Sequence, residues 1–303
     1  MTALASNLQL SSQDMDLLPT ESDIQLYEKL GWHVTPKIID EETLEKAVAG
    51  ARAFYAGKRD FHMPSLQGAA DDTDGEGKVI LNNEFTTLRK KELRDLGFHK
   101  LVVATAASLS RSTSIRLFAD SLITKRPTKG ENMGIVGWHS DKAYWPTCTS
   151  DHMLTAWIPL QDVTLEMGPV MHIDGSNNWQ HEEELKSFYS FNNQDLKSFA
   201  EYLRIKRPEH KKSYMTIKKG QVSFHNCHTI HSSYPNTSKQ DRLALAIHFQ
   251  DHRNKHQIVH REDGSVLEIS YDRLCSRTPD GNPNYSDEQL FPVLYQAQSK
   301  AKI

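Results

Sequence analysis

The stretch Arg242-Leu243-Ala244-Leu245-Ala246-Ile247-His248-Phe249 alternates with a period of two, the mark of a strand whose two faces meet different surroundings. Leu243, Leu245, Ile247 and Phe249 form a bulky apolar face fit to pack against helices or a second sheet. Arg242, Ala244, Ala246 and His248 form a face of small side chains with one guanidinium. Such a face leaves space, and the planar fork of an arginine at its end suits a carboxylate. A structural ion pair is the competing use of that guanidinium.

Upstream of this strand the pattern is of short β-like segments broken by turns. Ile115 to Ile123, Met153 to Leu160, Val170 to Ile173 and Gln221 to His225 read as strands, with turns at Gly168-Pro169, Asp174-Gly175-Ser176 and Lys219-Gly220. Many short strands in one block predict a sandwich or jelly roll with helices packed outside. Ahead of it, Ile24, Leu26, Tyr27 and Leu30 recur at helical spacing until Gly31, Trp32 to Thr35 reads as a short strand, and Asp40 caps a second helix through Tyr55. Helical spacing returns from Thr86 to Leu96 and from Leu101 to Ser110. The expected organisation is a polar, poorly ordered tail over 1–20 and one domain over 21–303. That domain divides into a helical part (about 21–112), a β-core (about 113–251) with a charged helical insertion at 181–212, and a wrapping segment (252–303). Residues 58–78, with the run Asp71-Asp72-Thr73-Asp74-Gly75-Glu76, read as an exposed loop.

Trp138-His139-Ser140-Asp141 carries the chemistry. In a strand, side chains two apart share a face, so His139 and Asp141 converge while Ser140 points away. Alone, a His-x-Asp tripeptide is weak evidence. The segment Phe224 to Asn236 adds three histidines, 225, 228 and 231, and composition leaves open which of them is a third donor. His231 precedes a polar turn, where a strand end delivers a side chain to a pocket mouth. His225 and His228 either support the ligands from behind or are merely buried, hydrogen-bonded residues, and the second reading is preferred. Two imidazoles and a carboxylate form the set that leaves non-haem Fe(II) with open positions.

Together these pieces resemble the phytanoyl-CoA dioxygenase-like family of Fe(II)/2-oxoglutarate oxygenases. The matching residues are His139-Ser140-Asp141, Gly168-Pro169, Gly175-Ser176, His231-Ser232-Ser233-Tyr234-Pro235-Asn236 and Arg242. Only His231 stands at the family's distance from the arginine. The resemblance implies a mainly β fold with flanking helices and a double-stranded β-helix (jelly-roll, cupin-like) core. It implies that His139, Asp141 and His231 bind iron, that Arg242 and Ser233 hold the distal carboxylate of 2-oxoglutarate, and that Thr155 touches this cosubstrate. O2 is the third reactant. Trp145 matches an aromatic wall of ectoine hydroxylase-like members. Trp157 and Lys125 are further candidates for lining the substrate pocket, against ordinary core packing and an exposed lysine. The family's Pro-Gly-Ser-His turn is here Asp174-Gly175-Ser176-Asn177, and the segment 181–212 has no counterpart, so a relative's substrate does not transfer.

The implied reaction hydroxylates an unactivated C–H bond of a small metabolite, with 2-oxoglutarate leaving as succinate and CO2. Halogenating relatives carry a small residue where Asp141 stands, so the carboxylate favours hydroxylation; desaturation or ring closure can follow the same hydrogen abstraction. A non-redox, metal-dependent barrel enzyme is the alternative, with a structural metal module a minor one, since such sites are closed by four protein ligands. Candidate substrates are an amino acid, a polyketide or alkaloid intermediate of secondary metabolism, or an acyl thioester. The formal charge of −3 over 303 residues makes no electrostatic case for nucleic acid or an anionic membrane. No apolar run approaches the roughly 20 residues of a membrane span, and Met1 to Thr20 does not read as a secretory signal. Cys148, Cys227 and Cys275, odd in number and far apart, argue against a disulfide framework and for a reducing cytoplasm. Oligomeric state is not legible.

Overall fold

A computed structural model describes residues 8–63, 66, 78–129, 133–179 and 196–297. Most of the 58–78 loop and the first part of the charged insertion lie outside these residues, as do 1–7 and 298–303. Eleven strands occur among the described residues: β1 (Trp32–Val34), β2 (Ile80–Glu84), β3 (Ser114–Lys125), β4 (Val136–His139), β5 (Leu154–Pro159), β6 (Val170–Ile173), β7 (Lys212–Tyr214), β8 (Ser223–Asn226), β9 (His231–Ser233), β10 (Arg242–Asp251) and β11 (Val293–Gln296). They form two antiparallel sheets. The larger runs β1-β8-β5-β10-β3-β11, with β2 also on β3, and the smaller runs β4-β9-β6-β7. This is a jelly-roll core flanked by helices, but neither sheet closes, so the word barrel does not apply to it.

The two faces of β10 divide the core as their side chains predict. Leu245, Ile247 and Phe249 join Leu154, Ile158 and Phe224 in one buried cluster with Leu44, Ala47 and Phe54 of the helix Glu41–Tyr55 and Val102, Val103 and Ala106 of the helix Lys100–Leu109. Ala244 and Ala246 belong to a second cluster with Trp157, Met167, Met215 and Ile217 on the opposite side of the sheet. Register then sets rows of side chains across that inner face. His225, Thr155 and His248 lie opposite one another on β8, β5 and β10; Ser223, Trp157 and Ala246 form the next row; Arg242 stands opposite Lys125 of β3.

Three local features differ from the sequence expectation. Ser12–Asp16 is a short helix with a capping box from Ser11, and Leu17 and Leu18 pack on the core, so the described part of the tail is ordered. β2 lies inside the part read as helical; its two asparagines are poor strand formers, and pairing with β3 overrides that preference. The helix expected over Thr86 to Leu96 is instead a 3-10 turn, Thr86–Leu88, followed by the helix Lys91–Gly97. The cause is Asp120, wholly buried on β3, which accepts from the backbone N–H and the hydroxyl of both Thr86 and Thr87 at 2.6–3.2 Å. Those N–H groups are thereby capped by a side chain of the sheet.

Burial raises the Asp120 carboxyl above its ordinary value, and four donors offset the cost of removing it from water. Replacing Asp120 by Ala strands those donors. It is expected to lower the unfolding free energy by about 3 kcal/mol, measured by urea denaturation at constant m.

Candidate metal centre and cavity

His139 ends β4, and Asp141 opens a 3-10 turn, Asp141–Tyr144. The pair therefore converges through a strand end and a tight turn, not through the alternation of one continuous strand. His231 starts β9 directly opposite His139 in the smaller sheet. One ligand atom from each of the three lies within 4.8 Å of the other two, and the two imidazole centroids are 4.1 Å apart.

The tautomers suit a cation. His139 Nδ1 is 2.8 Å from the Gly137 carbonyl and His231 Nδ1 is 2.9 Å from the Thr229 carbonyl. A carbonyl only accepts, so each Nδ1 carries the proton and each Nε2 keeps its lone pair for the common centre. Burial pushes His231 well below the ordinary imidazole value, with His139 and His225 adding to it, and burial likewise lowers His139. At Asp141 burial works the other way, but His231 and the hydrogen bond from His225 outweigh it and hold the carboxyl well below the usual range. Metal ligation requires neutral imidazoles beside an ionised carboxylate. His139, Asp141 and His231 are thus positioned for metal binding.

The remaining candidates surround a cavity of about 660 Å³ that opens from this centre. Trp145, Trp157, Thr155, Ser233 and Arg242 all line it. Trp145 presents its ring edge-on to His248, with centroids 5.0 Å apart. Thr155 directs its one hydroxyl proton to Asp141 Oδ2 at 2.5 Å, so its donor is engaged within the metal centre and not toward a cosubstrate. Arg242 is 2% exposed and donates through Nη1 to the Gly168 carbonyl. Its Nε is buried without a partner, and no carboxylate pairs with it among the described residues. The ion-pair use of this arginine is therefore absent. Burial lowers it only to about 10, so it stays cationic near neutrality.

Gly168 holds that arginine for a geometric reason. Its φ is +60°, and a β-carbon there would sit 2.3 Å from the Tyr234 carbonyl oxygen. Only glycine brings its carbonyl under Arg242 in this turn.

Lys125 departs from both uses weighed for it. It is fully buried, and it stands behind the cavity wall instead of lining it. Its Nζ donates to Ser233 Oγ at 2.5 Å and to the Tyr234 carbonyl at 2.8 Å. Burial, then the charge of Arg242, pulls it down to about 6.

The chain matches the phytanoyl-CoA dioxygenase (PhyH) family over residues 27–244, well over half its length. It belongs to that family. Among curated relatives it is similar to the phytanoyl-CoA dioxygenase domain-containing protein 1 homologs of Caenorhabditis elegans (28% identity) and Caenorhabditis briggsae (24%). Each match covers 59% of this chain and 66% of the relative, just under two thirds of its length. Among solved structures, the α-ketoglutarate-dependent carbocyclase SnoK from nogalamycin biosynthesis superposes with a TM-score of 0.67 at 21% identity, over 91% of this chain and 96% of its own. The epimerase SnoN, in complex with Fe3+, α-ketoglutarate and nogalamycin RO, gives 0.65 at 20% over 90% and 98%. EctD from S. alaskensis with 2-oxoglutarate and 5-hydroxyectoine gives 0.58 at 18% over 79% of each chain. These solved structures share the chain's fold.

His225 takes the supporting role weighed for it beside simple burial: its Nε2 lies 3.1 Å from Asp141 Oδ2. His228 does remain apart, bonded to Asp151 at 2.9 Å in a separate cleft. His172 is wholly buried, stacked on Trp32 and 4.9 Å from the His225 ring, with no hydrogen-bond partner at either nitrogen. Leu267, Ile269, Tyr271 and Arg273, from the wrapping segment, form part of the cavity wall. No local signal marks them, because tertiary packing alone brings that segment to the site. Among the described residues no helix is long and apolar enough to cross a membrane.

Replacing His139 or His231 by Ala is expected to lower Fe(II) affinity beyond the roughly 10–100-fold that loss of an outer hydrogen-bond partner costs. The melting temperature of the metal-free chain should change little. Equilibrium dialysis and thermal unfolding measure the two.

Proposed function

We propose that this chain is an Fe(II)/2-oxoglutarate-dependent oxygenase that hydroxylates an unactivated C–H bond of a small metabolite, releasing succinate and CO2. The observation that carries the reading is Arg242: a cationic guanidinium, buried, unpaired by any carboxylate among the described residues, on the wall of the cavity that holds His139, Asp141 and His231. A buried cation without an anion is costly, and the far carboxylate of a keto-diacid would supply one.

In this reading Arg242 receives the distal carboxylate and the Ser233 hydroxyl donates to it. Ala246 leaves room along β10 between the arginine and the ligand set. Fe(II) with 2-oxoglutarate would supply the oxidising power, held by His139, Asp141 and His231. Trp145 and Trp157 wall the cavity with aromatic surface and limit water at the reacting centre. The cavity volume of about 660 Å³ is of the size used by small-molecule sites.

Carbocyclisation and epimerisation by the structural neighbours SnoK and SnoN keep cyclisation and desaturation as the second reading. A product one oxygen atom heavier than its substrate supports hydroxylation; a product lighter by two hydrogens supports the second. Screening candidate metabolites for substrate-stimulated succinate formation coupled to oxygen uptake tests the class as a whole, and turnover without succinate would favour non-redox chemistry. Arg242→Ala is expected to raise the KM for 2-oxoglutarate by roughly 30-fold or more, the equivalent of about 2 kcal/mol. An unchanged KM would remove this role from Arg242.

A further inference from the structure

Asp141 has two oxygens in different surroundings. Oδ1 faces His231 Nε2 at 3.6 Å, on the side where the ligand atoms meet. Oδ2 is turned to the larger sheet, where Thr155 Oγ1 donates at 2.5 Å and His225 Nε2 lies at 3.1 Å. An ionised carboxylate only accepts, so the His225 contact is an Nε2–H donation. Thr155 has a single proton and gives it to Asp141; at its 2.8 Å contact with His248 Nδ1 the imidazole must therefore be the donor. Each proton in the chain His248 to Thr155 to Asp141 then has one direction. His225, Thr155 and His248 are the row that register lays across β8, β5 and β10. Two neighbouring strands thus present donors to one carboxylate oxygen, and a third backs one of them through His248.

We infer that Thr155 and His225, with His248 behind Thr155, are positioning residues that restrict Asp141 to ligation through Oδ1 alone. The inference rests on the metal reading of His139, Asp141 and His231. With both lone-pair sites of Oδ2 taken by donors, a bidentate carboxylate would have to give up at least one of these bonds. Holding the carboxylate to one oxygen preserves the positions that a bidentate cosubstrate and a third reactant need. It also gives Thr155 a task different from cosubstrate contact.

The probe is Co(II) added to the full-length chain, followed by its visible absorption, which reports coordination number and geometry directly. Thr155→Val keeps the shape and removes the donor; Thr155→Ser restores it. Thr155→Val is expected to weaken Co(II) binding by about 10–100-fold and to change the visible bands, and Thr155→Ser to return both to those of the unaltered chain. His225→Leu, which removes the second donor from a different strand, is expected to act in the same direction and serves if Thr155→Val does not fold. Wild-type affinity and bands in a folded Thr155→Val or His225→Leu chain would overturn the inference. If His139→Ala then still abolished Co(II) binding, the metal centre itself would stand. Absence of any Co(II) binding by the unaltered chain would instead overturn the metal reading and this inference with it.

Discussion

Asp141 is a carboxylate removed from water, and the inner face of the larger sheet is arranged around that fact. Burial alone would drive it toward its neutral form, in which it would be a poor metal ligand. The facing imidazole of His231 and the donors on Oδ2 reverse that tendency, and those donors come from adjacent strands at matched register. The interaction therefore depends on pairing between β8, β5 and β10. A slip of one residue on any of these strands would turn its member of the row to the helix-packed face. The bulky residues of that face, Leu245, Ile247 and Phe249 among them, oppose such a slip because they would have to enter the cavity.

The same strand that anchors the metal side also reaches the anion side. β10 carries His248 at one row and Arg242 three rows away on one face, with only alanines between them. A larger residue at 246 would fill volume that the cavity needs. Arg242 is kept in place by the Gly168 carbonyl and lies over Trp157, its guanidinium carbon 5.5 Å from the ring centroid. Cation–π contact and one carbonyl stabilise a guanidinium less than a carboxylate does, which leaves it under-compensated and ready for an anion.

How much of this was legible differs residue by residue. The strand over Arg242 to Phe249 was plain because its two faces differ in volume, and that contrast is what a cavity wall requires. The close pair His139 and Asp141 was visible from spacing, though the turn that brings them together was not, since strand alternation gives the same convergence. Histidines 225, 228 and 231 looked alike in sequence. Their separation into an Asp141 donor, an Asp151 partner and a ligand candidate depends on which strand or turn each occupies. Thr155 entered only as a position matched in the family, and the direction of its hydroxyl is set by a turn fourteen residues earlier in the chain. His172, Tyr271 and the wall from the wrapping segment were beyond reach for the reason that hides β2: their placement follows from long-range packing, with no local pattern to announce it.

The division of the cavity suggests where reaction outcome is decided. The rows over β5 and β10 carry Thr155, His248, Trp157 and the alanines, beside the metal ligands and the proposed anion site. The rest of the wall includes Ser121 and Ile123 of β3, Asn82 and Glu84 of β2, and Leu267, Ile269 and Tyr271 of the wrapping segment. Tyr271 is itself fixed there by its hydroxyl bond to Glu84 at 3.1 Å and by its edge-to-face contacts with Phe85 and Phe118. Hydroxylation, desaturation and ring closure share their first step, hydrogen abstraction, and part only in what the resulting centre meets next. On the proposed reading that encounter would depend on how the substrate is held against this part of the wall, so a change of reaction would call for changes there and leave the row beneath Asp141 untouched.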